Sequence, residues 1–173
     1  MARAHALRSP VMDVSHLRHR ESVTVEAPPE RVWERVIDVT RMGEVSPQCT
    51  GGEWDDPATG FAEGAWFVGH NAGPGRTWST HCKVVDVVPG RSFAFVNHAN
   101  GDVPLVRWGY EVDPAGDGAT VLTETWEVLP DYPEVIGQLY PQYDVAEIVE
   151  GRLATALEGM AATLAALKAE LEA

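Results

Sequence analysis

The stretch DVAEIVEGRLATALEGMAATLAALKAELEA, residues 144–173, decides the fold, because it carries the one long helical pattern in the chain. Val145, Ile148, Val149, Leu153, Ala156, Leu157, Met160, Leu164, Leu167 and Leu171 recur by threes and fours and form a single apolar stripe. Glu147, Glu150, Glu158, Lys168, Glu170 and Glu172 lie mostly off that stripe. Asp144 reads as an N-cap with Glu147 as its capping-box partner, so the helix is expected to start near Val145. At 1.5 Å per residue it extends about 40 Å, enough to lie across a wide, curved sheet. Gly151 and Gly159 cost roughly 1 kcal/mol each relative to alanine, which predicts a bend or a close backbone approach at one of them.

Upstream, the chain is a series of short extended segments. Val23 and Val25 alternate with Ser22, Thr24 and Glu26, a half-buried strand over 21–27 that ends at Pro28-Pro29. Proline suits a first helical turn, and Val32, Trp33, Val36 and Ile37 then give a short amphipathic helix anchored by Trp33. Asp38 is read as the cap of a second short helix that Gly43 stops. From there turn signals repeat at Asp56-Pro57, Gly73-Pro74-Gly75, Pro89-Gly90, Asn100-Gly101 and 113–118. They separate strands expected near Trp54 and over 65–71, 77–88, 91–98, 103–113 and 119–129. A run of strands closed by one long helix is an α+β plan with the helix on one face of the sheet.

Composition narrows the function classes. A chain of 173 residues, 45% apolar, suits one domain, expected over 21–173, preceded by a loosely held arm over 1–20. Its formal charge of −13 argues against nucleic acid and anionic membranes as partners and leaves small neutral or cationic ligands open. No apolar run approaches the roughly 18 residues of a membrane span, so membrane insertion is not expected. Two cysteines, Cys49 and Cys82, without Cys-x-x-Cys spacing, read as reduced thiols of a cytoplasmic protein. A homodimer remains open.

Several local sequences resemble one family. Val25-Glu26-Ala27-Pro28-Pro29-Glu30-Arg31-Val32-Trp33, Asp38-Val39-Thr40-Arg41 followed by Ser46-Pro47, Trp108-Gly109-Tyr110 and Thr123-Glu124-Thr125-Trp126 are similar to the START-like (SRPBCC) superfamily, in particular its polyketide cyclase/dehydrase branch. The resemblance spans about residues 21–172. It implies a helix-grip fold: a curved seven-stranded antiparallel sheet wrapped around the long C-terminal helix, with two short helices after the first strand. It also implies a deep cavity for an apolar small molecule, and no shared catalytic triad, metal site or cofactor.

Alternation identifies the residues expected to face such a cavity. Arg107 and Glu111 should face water, which turns Val106, Trp108, Tyr110 and Val112 inward. Trp78, Thr80 and Cys82, with Phe93, Phe95 and Asn97, take the same face of their strands, and the family pattern adds Phe67, Gly69 and Asn71. Leu122, Trp126 and Val128 share a face with Glu124. A carboxylate among aromatics must be paired, protonated or wetted by a cavity, so Glu124 is the candidate catalytic residue, with a purely structural hydrogen-bond role as the alternative. Trp78, Trp108 and Trp126 suit a flat-ligand pocket or plain core filling equally well. The ligand-contact candidates are Asn71, Trp78, Thr80, Phe95, Asn97, Trp108, Tyr110 and Trp126. His70, His81 and His98 fall on three successive strands, but their spacing is no ligand motif, and hydrogen-bonded or solvated histidines are expected. Two functions fit: binding of a polyketide-, lipid- or aromatic-like molecule, or cyclisation or dehydration of a poly-keto chain in the same cavity.

Overall fold

The computed structural model describes residues 12–99 and 101–173. Seven strands, β1 (Arg18–Val25), β2 (Cys49–Trp54), β3 (Trp66–Gly73), β4 (Arg76–Val88), β5 (Ser92–Ala99), β6 (Val103–Gly116) and β7 (Ala119–Val128), form one sheet in the order β1-β7-β6-β5-β4-β3-β2. Every neighbouring pair is antiparallel. Between β1 and β2 lie α1 (Pro29–Val36) and a 3-10 helix (Val39–Glu44); α2 (Tyr132–Leu139) and α3 (Val145–Leu171) follow β7. This is the α+β plan expected from the strand pattern and the helix-grip architecture that the family resemblance implies.

The register explains which side chains meet. Phe67, Cys82 and Asn97 stand opposite one another across β3, β4 and β5, and Phe95, Trp108 and Trp126 do so across β5, β6 and β7. Opposed residues share a face, so these rows line the concave side. An irregularity between Val84 and Asp86 shifts the parity of β4 and brings Val87 opposite Phe93, bending the strand as a bulge does.

α3 is held at both ends. The Asp144 carboxylate accepts the Ala146 N–H at 2.8 Å, the expected cap, although no bond from Glu147 completes a capping box among the described residues. Leu164, Leu167 and Leu171 pack with Val25, Val32, Val36 and Leu122, while Val149, Ala156 and Met160 pack with Trp126, Tyr132 and Ile136. Arg35 of α1 is buried and donates to Glu170 of α3 at 2.8 Å, a tie between the two helices that lowers the Glu170 pKa. Among the described residues no helix is long and apolar enough to cross a membrane.

Several expectations change. The segment 12–20 is not loose: β1 begins at Arg18 rather than Glu21, and Val14 and Leu17 are buried against the Trp126 and Met160 cluster. Two apolar side chains without helical or strand periodicity gave no signal of this; the remainder of the expected arm, 1–11, lies outside the described residues. Asp38 does not cap the 3-10 helix but takes the Thr40 hydroxyl at 2.6 Å. Gly43 lies inside that helix, and the sequence needs glycine there because a Cβ would collide with the Thr50 backbone. Gly151 and Gly159 meet no backbone within 4 Å, so neither marks a close approach. Leu157 is only half-buried, at the margin of the stripe. α2 was not foreseen.

Leu17→Ala and Leu164→Ala, at fully buried sites, should each cost about 2–5 kcal/mol in urea unfolding, and Glu158→Ala under about 0.5. An unchanged midpoint for Leu17→Ala would show that the 12–17 segment does not dock.

Candidate functional site

The concave face encloses a cavity of about 950 Å³. Its floor is the sheet: Phe67, Gly69 and Asn71 of β3, Trp78 and Thr80 of β4, Phe95 and Asn97 of β5, Trp108 and Tyr110 of β6, and Glu124 of β7. Val39, Met42, Ser46, Gln48 and Cys49 cover one side, α2 and α3 supply Tyr132, Ile136, Ile148, Arg152 and Thr163, and Tyr140 joins them from the end of α2. Arg76, Leu139 and Tyr143 also line it and are exposed, marking where it meets solvent.

Seven of the eight expected contact residues, Asn71, Trp78, Thr80, Phe95, Asn97, Trp108 and Tyr110, lie on this wall. Trp126 does not. It is 1% exposed and packs beneath α3 with Met160 and Val149, because β7 runs directly under the helix where no space remains. Its ring meets Trp108 edge-on at 6.4 Å, so it backs the wall without forming it.

Glu124 faces the concave side and is 4% exposed. The Tyr110 hydroxyl donates to its Oε1 at 2.9 Å, while Oε2 is buried without a partner among the described residues. Burial pushes the Glu124 pKa up to about 8; the Tyr110 bond opposes the rise and Glu21, opposite it on β1, adds to it. At neutral pH the group is therefore mostly a neutral acid, with Oε2 as the free position for its proton. Burial also raises the Tyr110 pKa, so its phenol stays protonated beside it. Such a pair can donate a hydrogen bond or a proton to an oxygen brought next to Oε2.

Glu124 borders a side recess of about 50 Å³, formed with Ser46, Gln48, Trp108, Arg152, Ala156 and Thr163 among others. Burial pushes the Cys82 thiol up to about 12, and raises Cys49, so neither is a thiolate nucleophile at neutral pH. Both are unbridged.

The three histidines do not converge. His70 bonds Ser79 at 2.9 Å, His81 bonds Asp55 at 2.7 Å and tilts over Trp66, and His98 bonds the Val96 carbonyl at 2.9 Å. Among the described residues no three His, Cys, Asp or Glu side chains gather as a metal would require.

Sequence reasoning missed Tyr132 and Ile136 of α2 and Tyr140 just after it. Pro133 in a first turn and Tyr132, Val135, Ile136 and Leu139 at helical spacing carried that signal. It also missed Arg152, which interrupts the apolar stripe of α3 four residues after Ile148 and four before Ala156.

Comparison with known proteins agrees with this fold. The family described as polyketide cyclase / dehydrase and lipid transport matches residues 16–172. A polyketide cyclase-like protein of Corynebacterium glutamicum, solved in solution, is 35% identical over 90% of this chain and 91% of its own, with a TM-score of 0.65. The ZhuI aromatase/cyclase of Streptomyces sp. R1128 is 20% identical, covering 90% and 93%, with a TM-score of 0.69. A START superfamily protein of Mycobacterium smegmatis is 17% identical, covering 82% and 94%, with a TM-score of 0.54. No curated protein matches in sequence.

Because the folded-state pKa of Glu124 lies above the ordinary value of 4.5, the stability from its protonation is fully present below about pH 4.5 and is lost as pH rises through 8. The stability of wild type should therefore fall as pH rises across that window, by up to about 1.4 kcal/mol per pH unit from this group. Glu124→Gln should lack that component and gain on wild type toward pH 8; parallel profiles would contradict a buried neutral acid.

Proposed function

We propose, for a chain that belongs to the polyketide cyclase / dehydrase and lipid transport family, that the cavity binds an apolar, ring-bearing small molecule. The observation that carries this reading is the wall itself. A space of about 950 Å³ lies at the upper end of ordinary ligand sites and is bounded by Trp78, Trp108, Phe95 and Tyr110, on a wall that is more apolar than polar. Flat rings bury large area against such side chains with little loss of conformational freedom. The Streptomyces aromatase/cyclase, at 20% identity, supports the fold alone.

A second reading is favoured by Glu124 and Tyr110. In a poly-keto ligand folded inside the cavity, an enol carbon attacks a ketone carbon and the new C–C bond pushes electrons onto the ketone oxygen. Glu124 gives its proton to that oxygen, and its carboxylate takes back the proton lost from the enol hydroxyl. The closure is then an isomerisation that consumes no other reagent. Asn97, also on the wall, would hold a further carbonyl.

N-phenyl-1-naphthylamine, an uncharged ring-bearing dye, tests the binding reading by fluorescence titration. Wild type should bind it saturably, and Thr80→Trp, which fills the floor of the cavity, should weaken binding about tenfold or more. Equal binding by both proteins would overturn the proposal. With a poly-β-keto thioester, the enzymatic reading requires that Glu124→Gln abolish ring formation while dye affinity stays within a few-fold; substrate left unchanged by wild type would remove it.

A further inference from the structure

The recess beside Glu124 differs in chemistry from the cavity it opens from. It is bounded by Arg152, Ser46, Gln48, Thr163 and Glu124, against the aromatic wall of the main space. The Ser46 hydroxyl oxygen already accepts the backbone N–H groups of Gln48 and Cys49, at 3.3 and 3.1 Å, so its own hydrogen is free to be donated. Arg152 Nε is buried and has no acceptor among the described residues, and no carboxylate there lies within ion-pair distance of its guanidinium. An arginine offers donors only. A buried donor without an acceptor is costly, and the recess lets an acceptor reach it from the cavity.

We infer that this recess is a subsite for an anionic oxygen group of the ligand, a carboxylate in the simplest case, held by the Arg152 guanidinium. This rests on the cavity's being a ligand site and names what the ligand must carry. About 50 Å³ exceeds the roughly 30 Å³ share of a single water and accepts one carboxylate-sized group. Charge agrees. Glu124 is the only Asp or Glu among the described residues lining the main cavity, and its burial disfavours ionisation, whereas Arg152 and Arg76 are both cations on that wall. An acidic protein thus turns two arginines toward its ligand, which departs from the neutral or cationic ligands that net charge alone had left open. Arg76 sits over the Trp78 ring at 4.6 Å, nearer solvent, and adds to the same field.

Displacement of N-phenyl-1-naphthylamine by 2-naphthoate and by its uncharged isostere 2-naphthamide tests the inference. Wild type should prefer the carboxylate about 10- to 100-fold, the range of a charge-assisted hydrogen bond. Arg152→Gln should erase the preference and Arg152→Lys should keep most of it, with thermal melts confirming that both fold. Equal displacement of the dye by the two compounds on wild type overturns the inference without need of a variant. If Arg152 only supports α2 through the neighbouring Tyr132, Arg152→Gln will lower the melting temperature and weaken both compounds alike, which also overturns it. The underlying binding reading fails separately, when the dye itself does not bind or Thr80→Trp does not reduce its binding.

Discussion

One helix cannot cover a concave sheet seven strands wide. At about 4.8 Å per strand the sheet is roughly 30 Å across, while a helix with its side chains is about 10–12 Å thick. α3 lies on the β1 and β7 side, where its apolar stripe is used up against Val25, Leu122 and Trp126. α1 covers Phe93 and Val112 at one end of the concave face and α2 packs on Val106 at the other, while the face between them, under the segment 39–49, stays open as the cavity. The cavity is thus a consequence of geometry: a curved sheet wider than one helix, with the short helices filling only part of what α3 leaves bare. Trp126 and Trp108 illustrate the division, since neighbours on adjacent strands become core and cavity wall according to which lies under the helix.

The same geometry sets the electrostatics. The Glu124 strand position lies where helix cover gives way to cavity, so its carboxyl is dry enough to favour the neutral form and still borders open space. Tyr110, opposite it on β6, supplies one hydrogen bond and leaves Oε2 free. Arg152 reaches the same place from the helix side. A neutral carboxyl and a guanidinium thus border one recess, each with a buried polar atom that has no partner among the described residues.

Much of this was legible in the sequence because period-2 alternation with turn residues between strands leaves little freedom of register. The inward faces of β4 to β7 followed from Arg107, Glu111 and the apolar sets, and Glu124 among Leu122 and Trp126 could be read as inward for the same reason. What was not legible depends on tertiary position. Alternation assigns a face, and it does not say whether that face meets a helix or empty space, so Trp126 and Trp108 read alike. Leu17 and Val14 dock as isolated anchors with no period to betray them. Gly43 reads as a stop signal, whereas its reason is the Thr50 backbone against it, a contact between segments that no local pattern encodes. Arg152 looks like a solvated interruption of an apolar stripe until the cavity beneath it is known.

The central claim is that the space over β3 to β6 is a binding site rather than an unfilled core. The six tryptophan indole N–H signals in a nitrogen-15 NMR spectrum test it most directly, because Trp78 and Trp108 line the cavity and Trp33, Trp54 and Trp66 do not. On titration with N-phenyl-1-naphthylamine the account predicts that the Trp78 and Trp108 signals move together and saturate while those of Trp33, Trp54 and Trp66 stay in place. Shifts confined to the latter three, or no shift at Trp78 and Trp108 while the dye is bound, would contradict it.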